Sequence, residues 1–270
     1  MKHCFIFLLI LSSLSSKAQI NKIDHFFISS PHSKELYTLF TTEFDLPIVW
    51  SYATWGSFSS GGVTLGNVVF EFVNDRPDQS RVYHGIALEP YQSATEVEPI
   101  LDSASILHGR ANKYSLLIED GKKDQGWTTM NLRQMLPSSV NLFICDYHDR
   151  ENTKSLQEAA VNHLVRINGG ILGIEYLKEL IIGTEEPNKY ISELIKVPGA
   201  KVEGNIITFS EGPSLKLIES DVPFVGLLIK VRSVDKAKEY LSNLGFATQE
   251  IDKELILDDE IFGTQIKLIE

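Results

Sequence analysis

Cysteine is almost absent from this chain of 270 residues, which carries only Cys4 and Cys145. Cys4 falls in an N-terminal segment read below as removable. Cys145 then stands alone, an internal disulfide is excluded, and the core has to suffice for stability. Basic residues are also scarce, 25 Lys and Arg against 36 Asp and Glu. Removing Lys2 and Lys17 with that segment leaves 23 against 36, a net charge of −13. This excludes nucleic acid and anionic membrane as natural partners, because both are bound through clustered Lys and Arg that displace counterions. Long apolar runs are missing too. The one run present, Cys4 to Leu11, falls short of the roughly 20 residues a bilayer requires, so no membrane span is expected. The sequence also holds no CxxC pair, no glycine-rich phosphate loop and no recognisable Ser-His-Asp arrangement.

What is present at the N-terminus is a basic start, Lys2-His3, then the apolar run, then Ser16-Lys17-Ala18 with small residues at −3 and −1. This pattern predicts a secretory signal over residues 1–18, cleaved after Ala18, and an exported protein, periplasmic or secreted. About 250 residues remain, enough to bury roughly three-quarters of their unfolded surface in one large or two small domains.

The clearest internal feature is a repeat. Lys216-Leu217-Ile218-Glu219 closes one block and Lys267-Leu268-Ile269-Glu270 closes the next. Each follows an apolar strand (Tyr176–Ile182, Val225–Val231), a helix and further short strands, and internal repetition of this kind decides the fold. The same plan recurs from Ile23 to Glu71 and, less regularly, from Gly85 to Asp146. In the first copy Leu36, Phe40 and Phe44 predict an amphipathic helix over 32–44, and Gly61-Gly62 reads as a turn or bulge. In the second, Ser93-Ala94-Thr95-Glu96 is a capping box. Pro99 should shorten or kink that helix, and an insertion at about 105–126 precedes strands 127–132 and 140–146. Pro187 opens the third helix. Ser233 caps the fourth, which Gly245 ends. Four βαβββ-like units predict an α+β fold in two lobes, residues 20–148 and 169–270, joined by a polar linker, 149–168.

Aligning helix starts assigns candidate chemistry. His25 lies nine residues before Lys34, and the same slot in the second and fourth units holds Gly85 and Gly226. His84 is one residue out of step, which turns its side chain to the opposite face unless loop lengths differ by one. The last strands carry acids at matching ends, Glu71, Asp146, Glu219 and Glu270. Glu71 alternates with Phe70 and Phe72, so if those pack under the helices it points into the concave side. There a carboxylate without a partner is costly. A His and a carboxylate on neighbouring concave strands suit Zn²⁺, Mn²⁺ or Fe²⁺. The other reading makes Glu71 and Asp146 rim acids bonded to backbone or arginine. Glu219 and Glu270, without a histidine in their units, read as structural.

Ile23-Asp24-His25, Gly61-Gly62 followed by Leu65-Gly66-Asn67-Val68-Val69-Phe70-Glu71, and Phe143-Ile144-Cys145-Asp146-Tyr147 resemble the vicinal oxygen chelate superfamily, which includes glyoxalases, bleomycin-resistance proteins and extradiol dioxygenases. The N-terminal half is similar to glyoxalase-like domains. The resemblance implies that paired units close into half-barrels around a divalent metal. It implies His25, Glu71 and Asp146 as metal ligands, with Glu71 also catalytic. The implied function is a metal-dependent lyase, isomerase or oxygenase acting on a small oxygen-rich substrate. The alternative is a metal-free small-molecule-binding protein using the same pocket, lined by Trp50, Trp55, Trp127 and Asn131. The lobes could pair within one chain or across a homodimer.

Overall fold

A computed structural model of the chain describes residues 20–75, 82–116, 125–257 and 263–270. The predicted signal, residues 1–18, lies outside the described residues. The first unit is β1 (Ile20–Ser29), α1 (Ser33–Thr38), β2 (Ile48–Trp55), β3 (Phe58–Thr64) and β4 (Val69–Asn74). The second is β5 (Tyr83–Pro90), α2 (Ala94–Ser103), β6 (Asn112–Leu116), β7 (Gln125–Leu132) and β8 (Val140–Tyr147). After helix α3 (Arg150–Arg166) come β9 (Ile174–Thr184), α4 (Pro187–Leu194), β10 (Lys201–Glu203), β11 (Ile206–Thr208) and β12 (Ser214–Glu219). The last unit is β13 (Phe224–Val231), α5 (Val234–Asn243), β14 (Thr248–Ile251), β15 (Glu254–Leu257) and β16 (Gln265–Ile269). Each pair of units shares one eight-stranded sheet, ordered β2-β3-β4-β1-β5-β8-β7-β6 and β10-β11-β12-β9-β13-β16-β15-β14. The units therefore pair within the chain. No helix among the described residues is long and apolar enough to cross a membrane.

Local chemistry explains most of the elements. The capping box at Ser93 and Glu96 forms, and Ser233 Oγ accepts from the Lys236 amide. Pro99 is accommodated inside α2. The helix expected over 32–44 is α-helical only to Thr38 and widens to a π turn over Leu39–Glu43, where the Phe44 amide reaches Leu39 O at 3.0 Å. Of the two readings for Gly61 and Gly62, the turn does not hold and the bulge does: both lie inside β3, and the β2–β3 pairing shifts register on either side of the Trp50–Gly62 pair. A Cβ at Gly61 would sit 2.7 Å from the Tyr37 ring, and one at Gly62 2.7 Å from the Trp50 ring. The glycines make room for an aromatic on each face of the sheet. The insertion at 105–126 contains β6 and the start of β7.

One apolar cluster runs unbroken from Ile23, Phe26 and Phe70 of the first lobe to Leu180, Leu217 and Leu227 of the second. Backbone bonds cross between the lobes as well: Ile20 N to Pro198 O at 2.9 Å, and Leu177 N to Leu65 O at 3.1 Å. His84 belongs to this junction. Its Nε2 lies 2.7 Å from Thr264 Oγ1, and it shares the β5 face of Ile86 and Leu88, away from the concave side. His84 is therefore not a pocket residue. Burial lowers its pKa to about 4, opposed by a bond with the Gly263 backbone. The unfolded chain takes up this proton near pH 6.5 while the folded one resists it to about pH 4. Its contribution to stability is complete above about 6.5 and is lost as pH falls toward 4, by about 3 kcal/mol. In urea unfolding across pH 4–7, His84→Asn should flatten the acid-side loss relative to the wild type. Parallel curves for the two proteins would contradict this.

Candidate active site

The concave side of the first lobe encloses a cavity of about 1550 Å³. Strand pairing identifies which side chains occupy equivalent places on its floor. β1 and β5 run antiparallel with His25 opposite Ala87 and Phe27 opposite Gly85, so the local two-fold axis relates His25 to Gly85 and Phe27 to Ala87. Glu71 pairs with Phe27, and Phe143 with Ala87. The second-unit counterpart of Glu71 is therefore Phe143. Asp146 lies three residues further on, and an odd offset reverses the face.

Asp146 is accordingly not beside His25 and Glu71. Its Oδ2 accepts from the Ala94 amide at 2.9 Å, and its Oδ1 accepts from Arg150 Nε at 3.0 Å. It caps α2, where an anion also complements the helix N-terminus. Glu270 does the same for α5 by accepting from the Val234 amide at 3.0 Å. The acids that close these strands thus hold helices, and Asp146 is corrected from metal ligand to cap.

His25 and Glu71 do come together. His25 Nε2 lies 3.5 Å from Glu71 Oε2, and both side chains are largely buried on the cavity floor. A register shift in the β1–β5 pairing between Ile23 and His25 breaks the alternation of the strand. Through it the adjacent residue Asp24 can also reach the ring, and His25 Nδ1 donates to Asp24 Oδ2 at 2.8 Å. Asp24 further accepts from Tyr147 Oη at 2.8 Å and Gln157 Nε2 at 2.9 Å, and pairs with Lys22 Nζ at 3.3 Å. On the other flank Ser60 Oγ donates to Glu71 Oε1, and Trp50 Nε1 donates to Ser60 Oγ at 3.0 Å. Gln157 comes from α3, so the linker between the lobes helps build the site.

The electrostatics follow from this burial. Desolvation would raise the Asp24 pKa, but the His25 bond and charge outweigh it and hold the carboxyl far below its ordinary value. Desolvation would lower His25, yet the Asp24 bond and the Glu71 charge leave it raised. Glu71 is raised by desolvation, with His25 and Ser60 opposing. An ionised Asp24 can only accept, which fixes the proton on Nδ1 and turns Nε2 toward Glu71 and the cavity.

Trp50, Trp55, Trp127 and Asn131 all line the cavity. Sequence reasoning missed Asp24, Ser60, Tyr147 and Gln157. Asp24 was within the Ile23-Asp24-His25 motif, but a regular strand would have turned it away from His25. Nothing in the sequence marks Gln157, which is 133 residues from its partner.

A resident metal would need more donors than these. A catalytic zinc takes three protein ligands. Among the described residues no group of three or more His, Cys, Asp and Glu is placed to share an ion. The two second-unit slots hold Gly85 and Phe143, and a Cβ at Gly85 would lie 2.1 Å from Phe27 Cε1. The Phe27 ring fills that place. In the second lobe the register is the same, with Ile181 opposite Gly226 and Glu179 opposite Leu228. The four slots there are Glu179, Gly226, Lys216 and Lys267. Lys216 Nζ lies 3.4 Å from Glu179 Oε2, so the repeated KLIE places ammonium groups where a cation would be held. Neither donor set completes a metal site.

No protein-family model and no curated protein matches this sequence. Solved structures do. A hypothetical protein from Staphylococcus aureus aligns over 92% of this chain and 98% of its own, at TM-score 0.59 and 10% identity. The Mn(II)-bound glyoxalase from Novosphingobium aromaticivorans aligns over 93% of this chain and 82% of its own, at TM-score 0.56 and 10% identity. Homoprotocatechuate 2,3-dioxygenase from Arthrobacter globiformis aligns over 93% and 79%, at TM-score 0.54 and 10% identity. At such identities the likeness speaks to architecture. With the four βαβββ units and their pairing, it establishes that this chain has the vicinal oxygen chelate fold.

Proposed function

We propose that the first lobe is an acid–base active site for a small oxygen-rich molecule, a lyase or isomerase working through its own side chains. The observation that carries this reading is the placement of His25 Nε2 at 3.5 Å from Glu71 Oε2 on the cavity floor, with Nδ1 fixed by Asp24. Burial makes Glu71 a stronger base than a solvated carboxylate. In its ionised form it takes a proton from a carbon beside a carbonyl or from a hydroxyl. Protonated His25, supported by Asp24, returns one to the oxygen on which charge develops. One proton is taken and one is delivered, so the pair ends each turnover exchanged and resets by proton transfer between its members. Trp50, Trp55, Trp127 and Asn131 would hold the substrate.

The same 3.5 Å separation also suits two donors on one ion. This supports a second reading, in which a divalent Zn, Mn or Fe ion binds only together with substrate oxygens that supply the remaining ligands. Export is part of the proposal, on the strength of the N-terminal pattern. A mature terminus at Gln19 or Ile20, found by mass spectrometry of the secreted fraction, tests it.

The acid–base reading is tested by NMR titration of the His25 imidazole in chelator-treated protein. The expected result is a pKa above the ordinary value, falling when Glu71→Gln removes the carboxylate charge. A His25 that titrates normally and ignores Glu71→Gln overturns the reading.

A further inference from the structure

The strand order of the first lobe sets the β2–β3 and β6–β7 hairpins at opposite rims of the cavity, with the His25 and Glu71 strands between them. Each rim carries a stacked aromatic pair that lines the cavity. Trp55 lies on Phe58 at 6.2 Å and 24°, and Tyr114 on Trp127 at 5.6 Å and 16°. Trp55 is 37% exposed and Tyr114 47%. A single exposed aromatic is ordinary, but two stacked pairs facing one cavity form an apolar surface that needs a reason. Beside these platforms the lining carries uncharged polar groups, Ser51 on β2, Thr129 and Asn131 on β7 and Asn141 on β8. Asn141 Nδ2 donates to Asn131 Oδ1 at 3.3 Å, which leaves each amide its other hydrogen-bonding group for a ligand.

We propose that this cavity takes a neutral saccharide. A pyranose ring has an apolar C–H face that packs on an aromatic platform. Its edge carries hydroxyls that both donate and accept, as amides and Ser or Thr hydroxyls require. A flat aromatic ligand uses the platforms but strips water from these polar groups without replacing its bonds. An anion meets Glu71 and Asp149 in the lining and is disfavoured. The volume of about 1550 Å³ exceeds the roughly 300–1,000 Å³ typical of small-ligand pockets, giving room for at least two sugar rings. The inference rests on the acid–base reading above and names the substrate class for it, with a sugar hydroxyl or C–H brought to the His25–Glu71 floor.

The test is tryptophan fluorescence and calorimetric titration of the mature protein with cellobiose, maltose, lactose and chitobiose, and with catechol as the aromatic comparator. At least one disaccharide should bind saturably, and Trp55→Ala and Trp127→Ala should each weaken it by about tenfold. Trp55 is at the rim and partly exposed, so its variant should fold even if the Trp127 variant does not. The proposal is overturned if no disaccharide binds, if catechol binds in their place, or if disaccharide binding ignores the folded Trp55→Ala variant. The His25 titration is read separately. Sugar binding with an ordinary His25 refutes the acid–base reading alone, and a raised, Glu71-dependent His25 without sugar binding refutes the saccharide alone.

Discussion

Replacing Asp24 with alanine is expected to lower the unfolding free energy by about 3–5 kcal/mol at neutral pH, the range for removing one member of a buried charged network. The Asp24 side chain is fully buried and is bonded by His25, Tyr147, Gln157 and Lys22. Its loss leaves the His25 imidazole and the Tyr147 phenol without their shared acceptor beneath the cavity floor. Lys22 keeps Glu89 at 3.1 Å, which limits the damage on that side. The effect has a defined pH dependence. The folded Asp24 pKa is depressed, so its contribution is complete above the unfolded value near 4 and declines only as pH falls below it. The part of the Asp24→Ala deficit that comes from the carboxylate should therefore persist at neutral pH and shrink in acid below about pH 4, as measured by urea unfolding. Asp24→Asn, which keeps one acceptor oxygen, should lose less. A deficit under about 1 kcal/mol, the size typical of an exposed pair, would show that the network does not hold the floor together.

The second large effect is expected where the lobes meet, at Gly66. This residue has φ +90°, a region that side chains rarely adopt, and a Cβ there would lie 2.3 Å from Glu175 O and 3.1 Å from Tyr176 Cα. Both obstacles are backbone, on the strand that opens the second lobe. Alanine therefore brings dihedral strain and a contact that no rotamer relieves. The neighbouring bonds, Asn67 Nδ2 to Leu177 O at 3.0 Å and Leu177 N to Asn67 Oδ1 at 3.1 Å, would have to yield. Strain and overpacking together should cost about 2–4 kcal/mol. Because one apolar core spans both lobes, the loss should appear as a lower midpoint of a single transition. An unchanged midpoint for Gly66→Ala would mean that the lobes do not meet as described.

The recurrence of strand, helix and short strands made the architecture legible, and the doubled KLIE was its strongest sign. Its meaning was less legible. Lys216 and Lys267 occupy the slot of Glu71, and Glu270 caps α5, so the motif records the repeat and also places ammonium groups, not metal donors, in those two slots. The alignment of acids failed by three residues. Glu71 was matched with Asp146 because both sit among apolar residues near a strand end. In the folded chain Phe143 is the counterpart of Glu71, and Asp146 is the counterpart of Glu270. Strand register is set by pairing partners, which a single sequence does not display. Gly61-Gly62 was legible as a turn or a bulge but not as one of the two, and in the folded chain the register shifts beside Trp50–Gly62 and the close approach of Tyr37 and Trp50 select the bulge. Glu71 was found by its alternation with Phe70 and Phe72, and His25 by its spacing from the helix start. Asp24 was hidden by a local break in strand register, and Gln157 by distance along the chain.

The central claim is that His25 and Glu71 serve as a proton-transfer pair and not as half of a resident metal site. The most direct measurement is the metal content of chelator-stripped mature protein after equilibrium dialysis against Mn²⁺, Zn²⁺ or Fe²⁺ in the absence of ligand. The account predicts substoichiometric metal that is the same in the wild type and in His25→Ala. One equivalent of metal per chain, lost in His25→Ala, would contradict it.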